Sequence, residues 1–79
     1  MLTLYVRTGC PFCEKVLDEM AILGIEPALK NIADEGVAKD LVARGGKQQV
    51  PYLVDDERKV EMYESNDIVE YLRKLGRRS

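Results

Sequence analysis

The sequence predicts an α/β fold of order β-α-β-α-β-β-α, a four-stranded mixed sheet flanked by helices. Two observations carry that expectation. Apolar residues switch between the two-residue period of a strand and the roughly 3.6-residue period of a helix along the chain. Glycine, proline and capping residues fall where one period gives way to the other. The length of 79 residues leaves room for one domain, taken as residues 1–79.

Leu2 to Val6 opens the chain as a strand, with Leu2, Leu4 and Val6 alternating with Thr3 and Tyr5. Thr8 and Gly9 break it. Between Pro11 and Leu23 the residues Val16, Leu17, Met20, Ala21 and Leu23 recur at helical spacing. Pro11 suits the first turn of that helix and Gly24 its end. Ile25 to Ile32 reads as a second strand, placed at a sheet edge because Pro27 has no N–H to donate. Asp34 is expected to cap a helix whose Val37, Ala38, Leu41 and Val42 share a face, ending at Gly45-Gly46. Tyr52 to Val54 and Lys59 to Met62, joined through Asp55-Asp56-Glu57-Arg58, form a hairpin. Ser65 is expected to cap a last helix carrying Ile68, Val69, Tyr71, Leu72 and Leu75. Its basic end, Arg73, Lys74, Arg77 and Arg78, complements the negative pole of the helix dipole. Strands separated by a helix should run parallel, and strands joined by a tight turn antiparallel.

Composition narrows the function classes. With 46% hydrophobic and 33% charged residues, the chain reads as an ordinary globular protein. A net charge of -2 gives no broad electrostatic case for nucleic acid. There is no run of about 18 apolar residues and no signal-peptide pattern, so a cytoplasmic location is expected, without a membrane partner. Nothing in the sequence demands more than a monomer.

Cys10 and Cys13 stand where the first strand ends and a helix begins. A disulfide closing so short a loop constrains little of the unfolded chain, so a structural staple explains the pair poorly. A closed zinc site takes four Cys or His ligands, and the sequence has no histidine and no other cysteine, so no metal is expected. Redox chemistry remains. The thiolate is the reactive form of cysteine, and the unpaired N–H groups and dipole of a helix N-terminus favour an anion. Cys10, nearest that terminus and close to Arg7, is therefore the expected nucleophile. Cys13, one turn inside and near enough to bridge, is the expected resolving thiol. Pro11 fixes the turn between them, and Phe12 faces outward as an apolar wall.

The stretch Val6-Arg7-Thr8-Gly9-Cys10-Pro11-Phe12-Cys13 resembles the dithiol glutaredoxin pattern, in which Cys-Pro-Tyr-Cys follows a basic residue. Gln49-Val50-Pro51 is similar to the Thr-Val-Pro segment of that family, whose proline is cis. Glu64-Ser65-Asn66-Asp67-Ile68-Val69-Glu70-Tyr71-Leu72 resembles the Glu-Ser element of glutathione transferase N-terminal domains and of the glutaredoxins nearest to them. The resemblance runs from about Leu2 to Leu75 and implies the thioredoxin fold, with glutathione as co-substrate.

It also implies a binding site. Val50 would pair its backbone with the cysteinyl part of glutathione, and a cis Pro51 would sit beside Cys10. Ser65 and neighbouring N–H groups would hold the γ-glutamyl carboxylate, with Glu64 accepting from the ammonium. Arg7, with Gln48 or Gln49, would face the glycyl end, and Phe12 would line the groove. Taken singly, these residues have plain structural uses: Ser65 as a cap, Arg7 as a solvated charge, Pro51 as the start of an edge strand. The chain also departs from the pattern. Phe12 replaces tyrosine, Asn66 stands at an aspartate contact to glutathione, and Met62-Tyr63 replaces a Gly-Gly pair and narrows the groove.

The function implied is glutathione-dependent reduction of protein disulfides or of glutathionylated proteins. One rival is a thioredoxin-like electron donor reduced by a flavoprotein reductase. Another is an iron–sulfur cluster carrier, against which Pro11 argues, because the resemblance links that role to motifs without proline after the first cysteine. A third is a glutathione-binding module without catalysis.

Overall fold

The computed structural model describes residues 2–76. Its elements follow the expected order: β1 (Leu2–Val6), α1 (Pro11–Leu23), β2 (Ala28–Asn31), α2 (Val37–Gly45), β3 (Tyr52–Asp55), β4 (Val60–Met62) and α3 (Ser65–Gly76). The strands form one sheet of order β2-β1-β3-β4. This is the thioredoxin fold that the resemblance implied. Arg77 and Arg78 of the expected basic end lie outside the described residues.

β1 and β2 pair parallel, with Thr3 opposite Ala28, as a strand–helix–strand unit should. β3 and β4 pair antiparallel as the expected hairpin. The rule fails once. β3 follows a helix, yet it docks on the far side of β1 and runs antiparallel to it, Leu4 opposite Leu53. β2 therefore stays at the edge, and Pro27 lies just before the strand rather than inside it. That shortens β2 to four residues, because a proline cannot extend the ladder.

Side chains of the two central strands alternate between two cores. Leu4, Val6 and Leu53 point to one face, where Val16 and Met20 of α1 and Ile68, Val69 and Leu72 of α3 cover them. Tyr5, Tyr52 and Val54 point to the other, under Leu41 of α2. Tyr5, set against the apolar residues of β1 in the sequence pattern, is instead part of a core. It is 1% exposed, and its hydroxyl donates to Asp40 of α2. Val42, expected on the buried face of α2, is instead exposed.

Helix ends follow local chemistry. Gly24 ends α1 at φ 71°, and its N–H reaches the carbonyls of Met20 and Ala21. Asp34 does not cap α2. That place belongs to Gly36 at φ 81°, which has no side chain to bond, and Asp34 contributes backbone groups to the preceding turn, its N–H donating to the Asn31 carbonyl and its carbonyl accepting from the Val37 N–H. α3 begins at Ser65 itself, with the Glu64 carbonyl accepting from the Ile68 N–H at 2.8 Å. Ser65 therefore lies in the first turn, one residue inside the expected cap position.

Asp55, at the end of β3, is 1% exposed. It accepts from the Glu57 N–H at 3.1 Å, the Arg58 N–H at 3.3 Å, the Arg58 guanidinium and the Tyr71 hydroxyl. One carboxylate thus shapes the hairpin turn and ties it to α3. Burial by itself would raise its pKa, but the Tyr71 and Arg58 bonds outweigh it and hold the carboxyl below the usual range. A depressed pKa contributes stability that is present above the unfolded value, near ~3.9, and lost as pH falls through the folded value. Asp55→Asn is expected to lower unfolding free energy at pH 7 by about 1–3 kcal/mol in denaturant titrations. The gap between variant and wild type should close below about pH 4.

Candidate active site

Cys10 is the N-cap of α1, in extended backbone conformation (φ -85°, ψ 114°), with Pro11 as the first helical residue. The sequence forces this arrangement. Pro11 has the φ of a helix and no N–H to satisfy, so the helix starts there and leaves Cys10 just outside. The Cys13 N–H then points back at the Cys10 Sγ, 3.4 Å away, where serine or aspartate would place an oxygen. Both cysteines are free and buried, 3% and 1% exposed.

Their environments push the two thiols apart. For Cys10, burial disfavours the thiolate, but hydrogen bonds from the Cys13 thiol, the Cys13 N–H and the Phe12 N–H, together with the Arg7 charge, outweigh it and lower the pKa. For Cys13, burial comes first, and the neighbouring Cys10 sulfur adds to it, raising the pKa to about 11. Of the two, Cys10 at the helix head is thus the thiol that gives up its proton first, and Cys13 the one that keeps it longer.

A groove of about 330 Å³ is lined by Phe12, from the turn between the cysteines, with Gln49, Val50, Pro51, Tyr63, Glu64, Ser65 and Asn66, and neither cysteine is part of its lining. Seven residues singled out in sequence therefore meet on one surface. The Val50-Pro51 bond is cis, and Pro51 is buried. Val50 packs against the cluster that contains both cysteines. Phe12 is 62% exposed, the outward apolar wall that was expected. Ser65 and Asn66 present the first turn of α3, whose leading N–H groups have no partner within the helix. Arg7 is the exception. It is exposed and does not line the groove, and its charge bears on the sulfurs instead.

Two groove residues gain roles that local pattern did not show. The Asn66 side chain accepts from Lys15 of α1, a residue 51 positions away that no nearby motif marks. The Tyr63 ring stacks on Tyr52 with centroids 4.4 Å apart, and its hydroxyl engages Lys47. Its bulk at a usual glycine position was the only signal in the sequence.

A larger groove of about 510 Å³, between the end of α1 and β2, is lined by Leu17, Met20, Ile25, Pro27 and Leu29 among others and contains no nucleophile. Size does not locate the chemistry here. Among the described residues, no group of three or more His, Cys, Asp or Glu side chains forms a metal site. No described helix is long and apolar enough to cross a membrane.

No curated protein sequence matches the chain. Among solved structures, a glutathione S-transferase from the Antarctic clam Laternula elliptica superposes with TM-score 0.82 at 26% identity, covering 98% of this chain and 36% of that one. Glutaredoxin 2 from Salmonella typhimurium, solved in complex with glutathione, gives TM-score 0.81 at 28% identity, covering 95% of this chain and 34% of its own. A thioredoxin-like protein shares the fold over 97% of its length at TM-score 0.79 and 17% identity. The chain thus spans about a third of the length of the transferase and of glutaredoxin 2. Residues 4–78 match the glutathione S-transferase N-terminal domain, and it is to this family, within the thioredoxin fold, that the chain belongs.

Proposed function

We propose that the chain is a glutathione-dependent thiol–disulfide oxidoreductase of the glutaredoxin kind. The observation that carries this reading is the pair at the head of α1: Cys10 caps the helix and accepts from the Cys13 N–H at 3.4 Å, with the free Cys13 thiol buried beside it. Transfer of glutathione to an electrophile needs only the tripeptide's own sulfur activated. A second thiol beside the first serves disulfide exchange.

In the proposed reaction the Cys10 thiolate attacks one sulfur of a protein–glutathione disulfide. The S–S bond breaks, the protein thiolate leaves and takes a proton, and glutathione stays bonded to Cys10. A second glutathione thiolate then attacks that bond, restoring the Cys10 thiolate and releasing oxidised glutathione. With a protein disulfide as substrate, Cys13 instead gives up its proton, attacks Cys10 and releases the dithiol product, leaving a Cys10–Cys13 disulfide for glutathione to reduce.

The groove supports this assignment. Val50 offers backbone beside Cys10 for the cysteinyl part of the tripeptide. The first turn of α3, with Ser65, suits the γ-glutamyl carboxylate, and Glu64 its ammonium. Asn66 is held by Lys15, which brings a positive charge to that end. Gln49 lines the glycyl side, and Arg7 sets the charge around the sulfurs. Glutaredoxin 2, solved in complex with glutathione, supports glutathione as the ligand class. Since each turnover returns the pair to dithiol, a reducing compartment such as the cytoplasm suits the reaction.

The family match favours a second reading, conjugation of glutathione to an electrophile. One experiment decides between them: reduction of a glutathione mixed disulfide, coupled to NADPH through glutathione reductase, beside conjugation to an aryl halide. Cys10→Ser should reduce turnover of the mixed disulfide to about background, because the nucleophile is gone. Cys13→Ser should stay within about tenfold of wild type, because glutathione itself can resolve the intermediate. Conjugation without disulfide reduction would support the transferase instead.

Thiol reactivity gives an independent check. Alkylation by iodoacetamide should proceed at Cys10 with a midpoint below the usual cysteine pKa of ~8.5. Cys13 should react with a midpoint of about 11. Cys13→Ala should move the Cys10 midpoint upward by removing the side-chain donor, whereas Cys13→Ser, whose hydroxyl still donates, should not. A Cys10 midpoint at or above the usual value would contradict the assignment.

A further inference from the structure

Tyr63 stands at the centre of contacts that the proposed reaction does not use. Its hydroxyl accepts from the Lys47 N–H at 3.0 Å and donates to the Lys47 carbonyl at 2.8 Å. One side chain thereby satisfies both polar groups of a residue in the irregular segment between α2 and β3. Its ring packs on Tyr52 at 4.4 Å between centroids and lies 5.6 Å from the Lys47 ammonium. Below it is Gly45, where a Cβ would fall 2.0 Å from the hydroxyl and 2.6 Å from the ring carbon that bears it. The glycine is there because the ring occupies the space its side chain would take. The same tyrosine lines the groove together with Phe12 and Val50.

The geometry points to Tyr63 as the positioning residue for the glutathione-contacting segment. By clamping Lys47, it fixes where the chain enters Gln48-Gln49-Val50 and so the placement of the Val50 backbone in the groove. This rests on the glutathione reading above and deepens it: affinity for the tripeptide is set from the α2 side of the sheet, apart from the chemistry of the cysteines. Backbone groups held in place before binding cost less to order when the ligand arrives, so the clamp acts on binding. Cys10 and Cys13 sit on another element and touch none of the clamp.

The test compares wild type, Tyr63→Phe, Gly45→Ala and the double variant. Tyr63→Phe keeps the ring and removes both bonds to Lys47. Gly45→Ala displaces the hydroxyl from below. Binding of S-methylglutathione, which cannot exchange disulfides, is measured by calorimetry, with KM and kcat for a glutathione mixed disulfide and the pH profile of Cys10 alkylation alongside. Each single variant should weaken S-methylglutathione binding and raise KM about five- to tenfold, the loss expected of one or two neutral hydrogen bonds. The double variant should lose little more, because both changes break one contact. kcat and the alkylation profile should hold. Wild-type binding retained in Tyr63→Phe, additive losses in the double variant, or an equal fall in kcat would overturn the proposal while leaving the glutathione reading intact. Wild-type protein that fails to bind S-methylglutathione would overturn both.

Discussion

The N–H of Cys13 lies 3.4 Å from the Cys10 sulfur, and the first turn of α1 and the proposed chemistry share that contact. A helix begins by finding acceptors for its unpaired N–H groups. In this chain the acceptor is a sulfur, so the need that starts the helix also stabilises the anion. Replacing the cap with an oxygen residue would keep the helix and remove the nucleophile. The surroundings follow from the same demand. Pro11 fixes where the helix starts, Arg7 adds charge, and the buried Cys13 thiol supplies a proton donor that the solvent does not reach.

The sheet makes that placement rigid. β1 delivers Cys10 to the helix head and is itself held between β2 and β3, with side chains buried on both faces. The groove lies where three pieces of chain far apart in sequence meet: the head of α1, the cis-proline turn before β3 and the start of α3. On the same side of the sheet, the Arg73 guanidinium meets Glu19 through two bonds of 3.1 Å, joining α3 to α1. The Lys15–Asn66 contact joins them again nearer the sulfurs.

Much of this was legible in the sequence, for local reasons. The Cys-Pro-Phe-Cys turn, Gly24 at a helix end, the hairpin and the apolar stripe of α3 are written in neighbouring residues, and the structure has each. The misreadings concern what lies on the other side of a residue. Tyr5 was set with Thr3 against the apolar residues of β1 because its partner, Asp40, is 35 positions away. Asp34 is a good capping residue by type, but the turn after β2 places Gly36 at the helix entry. The direction of β3 was missed because the rule for strands around a helix assumes that they become neighbours, and β1 separates β2 from β3. Seven groove residues were found through resemblance to a family pattern, since nothing local requires Gln49 and Ser65 to face one space. Lys15 was out of reach of either route.

Gly45 and Tyr63 have a consequence for how this sequence can change. A side chain at 45 and an aromatic ring at 63 claim the same volume, so the two positions cannot drift independently. With a side chain at 45, a tyrosine at 63 could not keep its present ring position. With the tyrosine in place, a side chain added at 45 has to push the ring aside. Two positions 18 residues apart in the chain are therefore coupled through one shared volume.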